Sequence, residues 1–199
     1  MRLALHGPDE RPALIAGEPR VWYCEAAVGH PRSTARALLQ SILGDGLGMA
    51  PRIEFEAGRP PRVDATWQGL VLFLSLSYAG TRALVGVCPG RPIGVDITPV
   101  EPVPGMASLA RLYLGPAAEA TLAAAAESCR AQVFAGLWAE LEARGKCLGL
   151  GLEEWSPVHA GRLGDPSLRL SSSEWCGHAV AVATLTAART PCLRSPPAG

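Results

Sequence analysis

Glu142 and Lys146 are two residues whose types and spacing could do chemistry. They lie four apart in Phe134–Lys146, where apolar residues repeat at intervals of three and four. Such a repeat predicts a helix, and residues four apart share one face of it. A Glu–Lys pair at this spacing is most often a surface ion pair, which contributes about 0.3–0.5 kcal/mol. Lys146 is, however, the one lysine among 18 lysines and arginines. A compact ammonium can take a point position on a phosphate, as a guanidinium does not, so a functional pair stays open as the alternative.

Asp96 is a second candidate, because it lies inside the short apolar strand predicted over Ile93–Thr98. A carboxylate in such a strand is costly unless it is paired, hydrogen-bonded or bound to a metal. The residues alone leave two interpretations open. Asp96 is either a strand-end carboxylate satisfied by the backbone or a group with a function.

Three arginines are candidates for binding an anion. Arg32 and Arg36 lie at the first turn of a helix predicted over 33–43, and Arg59 is presented by the turn Gly58-Arg59-Pro60. Cations at a helix N-terminus oppose the helix dipole. That position becomes favourable when an anion binds to the unpaired N–H groups there. Because exposed arginines are common, the alternative of a solvated surface also stays open.

Composition limits the classes of function. The 199 residues suit one large domain or two small ones, and the formal net charge of zero does not point to nucleic acid or an anionic membrane. None of the six cysteines has the C-x-x-C spacing of a zinc or redox site. We therefore expect buried, reduced thiols and a cytoplasmic protein. The N-terminus does not read as a signal peptide, and no run approaches the roughly 18 apolar residues of a membrane span.

The elements that position these residues form two similar halves. Leu70–Ser77 reads as a buried strand and Arg82–Cys88 as its return strand, and the segment 74–87 resembles 170–183 in pattern. We expect an α+β fold of two pseudo-symmetric halves, residues 1–100 and 101–188, with a site between them and a disordered Pro-rich tail at 189–199. Residues 155–163 are predicted to form a strand.

The order of the motifs resembles the surfactin-type 4′-phosphopantetheinyl transferases, from about residue 32 to residue 185. The most specific part is the spacing of Gly94-Val-Asp96-Ile97 to Trp138-x-x-x-Glu142-x-x-x-Lys146, followed by Gly149-x-Gly151-Leu152. Gly58-Arg59-Pro60 and Leu76-Ser77 resemble the upstream motifs. Members of this family load the phosphopantetheine arm of coenzyme A onto a serine of a carrier protein.

The resemblance implies a role for each candidate. Asp96 and Glu142 would hold Mg²⁺, which takes one or two carboxylates plus phosphate oxygens and waters. Lys146 would meet the phosphates of coenzyme A, the substrate. Glu142 would accept the proton of the attacking serine, directly or through a metal-bound water. Asp96, Glu142 and Lys146 are thus the implied catalytic residues. The implied nucleotide contacts are Arg32, Arg36, Arg59, Ser77 and Tyr78. The implied partner is an apo acyl or peptidyl carrier protein, and the enzyme would be a monomer.

Four residues depart from the family pattern. Thr98 stands where many members have a third acid, Leu141 where Lys is usual, Tyr78 where His is usual and Ala139 where Thr or Ser is usual. These changes remove charge from a site that depends on charge. They imply a weakened metal site that tolerates Mn²⁺. The alternative is a relative that binds coenzyme A or a carrier protein without turnover.

Overall fold

The computed structural model describes residues 3–26 and 30–186 and has an α+β fold. Its strands are β1 Leu5–His6, β2 Arg20–Glu25, β3 Ile53–Glu54, β4 Arg62–Val63, β5 Thr66–Trp67, β6 Leu70–Ala79, β7 Arg82–Pro89, β8 Ile93–Pro99, β9 Leu168–Trp175 and β10 His178–Leu185. Its α-helices are α1 Pro31–Leu47, α2 Met106–Leu109, α3 Pro116–Ala124, α4 Arg130–Leu148 and α5 Pro157–Leu163. A π-helical turn, Ala110–Leu114, joins α2 to α3.

The larger sheet has the strand order β1-β2-β7-β6-β5 and is covered by α1. Every pair in it is antiparallel except β1 with β2. The buried residues of α1 recur at intervals of three and four and pack around Trp22 and the inner residues of β6 and β7. The helix predicted over 33–43 is confirmed. It begins earlier, because Pro31 suits a first turn, and it ends at Gly48 in the left-handed conformation.

The smaller sheet has the order β8-β10-β9, with both pairs antiparallel, and α4 packs across it. Small residues make that packing close: the contact is built mainly from alanines of α4 and of β10. The closest approach is at Gly94, where an added Cβ would overlap the carbonyl oxygen of Ala143 and lie 2.5 Å from the backbone nitrogen of Cys147. The lack of a side chain at Gly94 therefore brings the end of α4 down onto β8.

Two serines connect the sheets. Ser75 Oγ accepts a hydrogen bond from Val95 N at 3.0 Å, and Ser77 Oγ accepts one from Ile97 N at 3.3 Å. Buried N–H groups need acceptors, and these hydroxyls satisfy two of them on β8. Ser75 and Ser77 are two residues apart in β6 and so lie on the same face of the strand. Apolar side chains of β7, β8 and β10 fill the space between the sheets around these bonds.

Arg82 joins the sheets at a second point. Its Nη1 donates to Cys176 O at 2.6 Å, and its guanidinium stacks over the Trp175 ring at 5.4 Å from the centroid. Trp175 in turn lies against Tyr23, with ring centroids 4.7 Å apart. The turn between β9 and β10 is therefore attached to the larger sheet.

The prediction of a strand over 155–163 is wrong, because the segment contains helix α5. Ser156 caps this helix by accepting a hydrogen bond from His159 N at 3.1 Å, and Pro157 occupies its first turn. A serine cap followed by proline is a helix-start signal, which outweighs the apolar pattern of the segment.

The remaining predictions concern the cysteines, the tail and the division of the chain. Cys24, Cys88 and Cys147 are buried, as expected, whereas Cys129 and Cys176 are exposed. The residues of the expected Pro-rich tail lie outside the described part of the chain. The division of the chain at residue 100 stays a prediction. Within residues 3–26 and 30–186, no helix has the length and apolar character needed to cross a bilayer.

Candidate active site

Asp96, Glu142 and Lys146 meet where the last turns of α4 cross β8. Lys146 Nζ lies 2.6 Å from Asp96 Oδ1 and 3.9 Å from Glu142 Oε2. The structure therefore brings together the three residues that the resemblance named as catalytic. The short contact of Lys146 is with Asp96 and not with Glu142, the partner predicted from the spacing of four residues.

Each donor of the Lys146 ammonium has an acceptor. Besides Asp96 Oδ1, the Nζ group donates to Ser77 Oγ and to the carbonyl oxygen of Val95, both at 3.2 Å. An ammonium carries three N–H donors, so this set can satisfy all of them. The three acceptors converge on one point, a geometry that suits an ammonium better than a planar guanidinium.

The Asp96 carboxylate is held by side chains. Its Oδ1 accepts from Ser77 Oγ at 2.7 Å as well as from Lys146, and its Oδ2 accepts from Thr98 Oγ1 at 2.8 Å. The side chain is 7% exposed. The interpretation of Asp96 as a carboxylate satisfied by its own backbone is therefore wrong. Thr98, at the position where the resemblance implies a third acid, donates its hydroxyl proton to this carboxylate.

Glu142 lies beside the Asp96–Lys146 pair, in surroundings that favour its protonated form. Burial raises the pKa of the Glu142 carboxyl, the Lys146 ammonium lowers it, and the nearby Asp96 carboxylate raises it further. The balance is a pKa above the ordinary value for glutamate. A carboxylate of raised pKa accepts a proton more readily, which is what general-base catalysis near neutral pH requires.

A separate group lies where α1 meets β6. It consists of Arg32 and Arg36 of α1 and Tyr78 of β6. The Arg32 guanidinium lies 5.7 Å from the centroid of the Tyr78 ring, and the Arg36 guanidinium lies 4.4 Å from that of Phe55. Burial raises the pKa of the Tyr78 hydroxyl, while the charges of Arg36 and Arg32 lower it. The ring contacts and the charge effects on Tyr78 place both guanidinium groups near this phenol, and two neighbouring cations could bind an anion.

The predicted nucleotide contacts do not form one group in the structure. Ser77 and Tyr78 are neighbours in β6 and so point to opposite faces of the strand. Ser77 therefore joins the Asp96 group, and Tyr78 joins the arginine group. Arg59 makes its ion pair with Glu56 within its own turn, at 3.4 Å, and its side chain is 57% exposed. Its described ion pair is thus local and links it to neither group.

Sequence reasoning missed His159, which shares a cavity with Glu142. The cavity, of about 20 Å³, lies between α4 and α5 and has room for about one water. His159 is 3% exposed. Its Nδ1 lies 3.3 Å from Glu153 Oε2 but makes no hydrogen bond, because the geometry is poor. The helix-start signal at Ser156-Pro157 could have shown that His159 lies in a helix and not in a strand.

Asp96 and Glu142 suit a divalent cation by their chemistry. Both are hard oxygen donors, and both lie within 4 Å of the same cationic atom, Lys146 Nζ. In the described part of the chain, no group of three or more His, Cys, Asp or Glu side chains could hold a metal ion. A cation here would have two protein carboxylates and would take its other ligands from substrate and water.

Comparison with known proteins finds a match for the part of the chain that contains Asp96, Glu142 and Lys146. Residues 92–188, a little under half of the chain, match the family model of the 4′-phosphopantetheinyl transferase superfamily. The chain is also 28% identical over 129 residues to the 4′-phosphopantetheinyl transferase HetI of Nostoc sp.. That alignment covers 63% of this chain and 54% of the relative, so the chain spans about half the length of the relative it matches. The family match includes Asp96, Glu142 and Lys146, whereas the arginine group precedes it.

Proposed function

We propose that this protein is a surfactin-type 4′-phosphopantetheinyl transferase. It would transfer the phosphopantetheine arm of coenzyme A to a serine of an apo acyl or peptidyl carrier protein and release 3′,5′-ADP. One observation carries the proposal. Asp96, Glu142 and Lys146 meet at one point, and all three lie inside the residues that match the superfamily.

In the proposed reaction the serine hydroxyl attacks the β-phosphorus of coenzyme A. A bond forms between the serine oxygen and phosphorus, and the bond from phosphorus to the bridging oxygen of 3′,5′-ADP breaks. Glu142 accepts the serine proton, which its raised pKa favours. The Lys146 ammonium stabilises the negative charge that spreads over the phosphate oxygens.

Asp96 and Glu142 are the proposed ligands of Mg²⁺, or of Mn²⁺. When bound, the ion neutralises charge on the pyrophosphate of the substrate. Thr98 orients Asp96 through its hydrogen bond to Oδ2. With Thr98 in place of an acid, the site has one negative charge fewer than the common family pattern, and we expect weaker metal binding.

Arg32, Arg36 and Tyr78 are the proposed contacts of the nucleotide phosphates, with Arg59 and Ser77 as further contacts. The stacking of Arg32 on Tyr78 and of Arg36 on Phe55 supports this assignment, because a held guanidinium loses less entropy on binding an anion. The proposed enzyme is a cytoplasmic monomer in which two pseudo-symmetric halves form one site.

The test is to incubate the protein with coenzyme A, Mg²⁺ and several apo-carrier proteins and to measure the intact mass of each carrier. We expect at least one carrier to gain the mass of the arm, and the same carrier with its acceptor serine replaced by alanine to gain none. If the folded protein modifies no carrier of the panel, the transferase proposal is rejected.

A second function, binding of coenzyme A or a carrier protein without turnover, has one observation in its favour. Leu141, at a position where the family usually has a lysine, lines the cavity beside Glu142 and brings no charge to it. Binding of coenzyme A that raises the melting temperature, combined with no transfer to any carrier, would support this function over the first.

A further inference from the structure

The Asp96 carboxylate already has a cation bound to it, and that cation is part of the chain. Lys146 Nζ lies 2.6 Å from Oδ1, while the Ser77 and Thr98 hydroxyls donate to Oδ1 and Oδ2. A carboxylate has about four lone-pair sites, of which these three bonds use three. One site, on Oδ2, is left, so a second cation can bind Asp96 only beside the ammonium or in its place.

The position of Glu142 adds to the conflict. Its Oε2 lies 3.9 Å from the same ammonium. A divalent cation between Asp96 and Glu142 would thus lie within a few ångströms of the Lys146 charge. Repulsion between like charges at that range is strong in a partly buried site. The short Asp96 contact is consequently an obstacle to metal binding and not only a stabilising pair.

We infer that Lys146 and the divalent cation compete for Asp96, so that binding of the metal displaces the ammonium from the carboxylate. The inference deepens the proposed function and rests on it only for the later step, in which the displaced ammonium meets a substrate phosphate. The side chain of Lys146 is 30% exposed and has a flexible four-carbon stem, so it can move without unfolding α4. The competition itself concerns the protein and the ion alone.

The first test measures Mg²⁺ binding by calorimetry without coenzyme A or carrier protein. We expect Lys146→Met to bind Mg²⁺ about tenfold or more tightly than the unchanged protein, because a like charge is removed. Arg144→Met is the matched control, since Arg144 is a cation of the same helix that donates instead to Leu163 O. It should leave the affinity unchanged, and Asp96→Asn should abolish binding. Equal or weaker binding by a folded Lys146→Met variant overturns the inference.

The second test needs no variant, because Lys146 is the only lysine of the chain. A short pulse of an amine-acetylating reagent at constant pH, followed by peptide mass spectrometry, reports on this ammonium and separates it from the N-terminal amine. We expect saturating Mg²⁺ to raise the acetylation rate of Lys146 several-fold over that in chelator, with the rate at the N-terminus unchanged. An unchanged or lower rate at Lys146 with Mg²⁺ bound contradicts displacement.

The outcomes also separate this inference from the proposed function. A protein that transfers no arm can still show tighter Mg²⁺ binding in Lys146→Met and faster acetylation of Lys146 with Mg²⁺. Conversely, an active transferase that shows neither effect would keep its proposed function and lose the competition between lysine and metal.

Discussion

Lys146 makes structural contacts in addition to the chemical role that we propose for it. Its ammonium neutralises a carboxylate that is 7% exposed, and it also binds the serine that supports β8. Removing one partner of a buried pair leaves the other charge without its counterion, which costs more than the pair itself contributes. We therefore expect Lys146 to contribute to stability as well as to the proposed catalysis.

We therefore predict a stability cost for Lys146→Met, contrary to what a surface ion pair would give. In chelator, the free energy of unfolding measured with urea should fall by about 1–3 kcal/mol, because Asp96 keeps only hydroxyl partners. The double variant with Asp96→Asn should lose less than the sum of the two single variants. A loss below about 0.5 kcal/mol would show that the pair behaves like an exposed one.

The charge of Glu142, unlike that of Lys146, should destabilise the folded protein. Burial raises the pKa of its carboxyl, so the folded state binds the proton more tightly than the unfolded chain does. Stability is then lost as pH rises through the folded pKa, and the cost is fully present above it. Glu142→Gln cannot ionise, so in chelator its free energy of unfolding relative to the unchanged protein should increase from pH 4 to pH 7.

The same substitution should lower transfer by about 100-fold or more, since it removes the proposed base. Glu142→Gln should therefore lose transfer activity without losing stability at pH 7. Glu140→Gln is a suitable control, because Glu140 is on the same helix and bonds to Ser172. A variant at 142 that loses stability at pH 7 would show that the charged carboxylate is favourable in the folded state.

At the scale of elements, local signals in the sequence predict the helices and strands that carry the candidate residues but not every packing contact. The apolar repeat of α4 and the apolar run of β6 are visible in the chain, and both elements are predicted from them. Helix α5 is missed because its apolar residues resemble a strand when the Ser156-Pro157 start is ignored. The short contact between Lys146 and Asp96 could not be predicted, since it depends on how closely α4 approaches β8.

That approach depends on Gly94, and a substitution there should test it. Gly94→Ala places a methyl group against the backbone of Ala143 and Cys147, which cannot move without shifting α4. We expect a loss of about 3 kcal/mol or more in the free energy of unfolding. Gly136→Ala is the matched control, because no atom lies within 4 Å of the Cβ that it would add to α4. It should gain about 0.5–1 kcal/mol.

Circular dichroism and urea unfolding of both variants would show whether close packing at Gly94 holds α4 against β8. If Gly94→Ala is as stable as Gly136→Ala, close packing at this glycine does not hold α4 in place. If it folds but is less stable, the Lys146–Asp96 pair should weaken as well, and the acetylation rate of Lys146 in chelator should rise.

At the scale of the molecule, the candidate residues form two groups on opposite faces of β6. The family resemblance leads us to expect Asp96, Glu142 and Lys146 together, and the structure places them together. Spacing alone could not divide Ser77 from Tyr78, although strand alternation does so at once. Nor could it identify Phe55 as the ring beneath Arg36, because that contact joins α1 to the segment after β3.

Binding of coenzyme A can test whether the arginine group contacts the same ligand as Lys146. A ligand at 100 times its Kd stabilises the folded state by about 2.7 kcal/mol. We predict that coenzyme A raises the melting temperature of the unchanged protein, and that the double variant Arg32→Met with Arg36→Met loses most of this shift. Arg52→Met is the control, because Arg52 is 80% exposed and pairs with Glu54.

The 3′-dephospho form of coenzyme A makes the test specific for a phosphate. If the arginines bind the 3′-phosphate, dephospho-coenzyme A should stabilise the unchanged protein less than coenzyme A does, and the double variant should not distinguish the two ligands. Higher salt should weaken the difference, because both arginines are exposed and their charges are therefore screened. If the double variant and the unchanged protein show the same shift with coenzyme A, the arginine group does not contact this ligand, and its stacked guanidinium groups serve the packing of α1 alone.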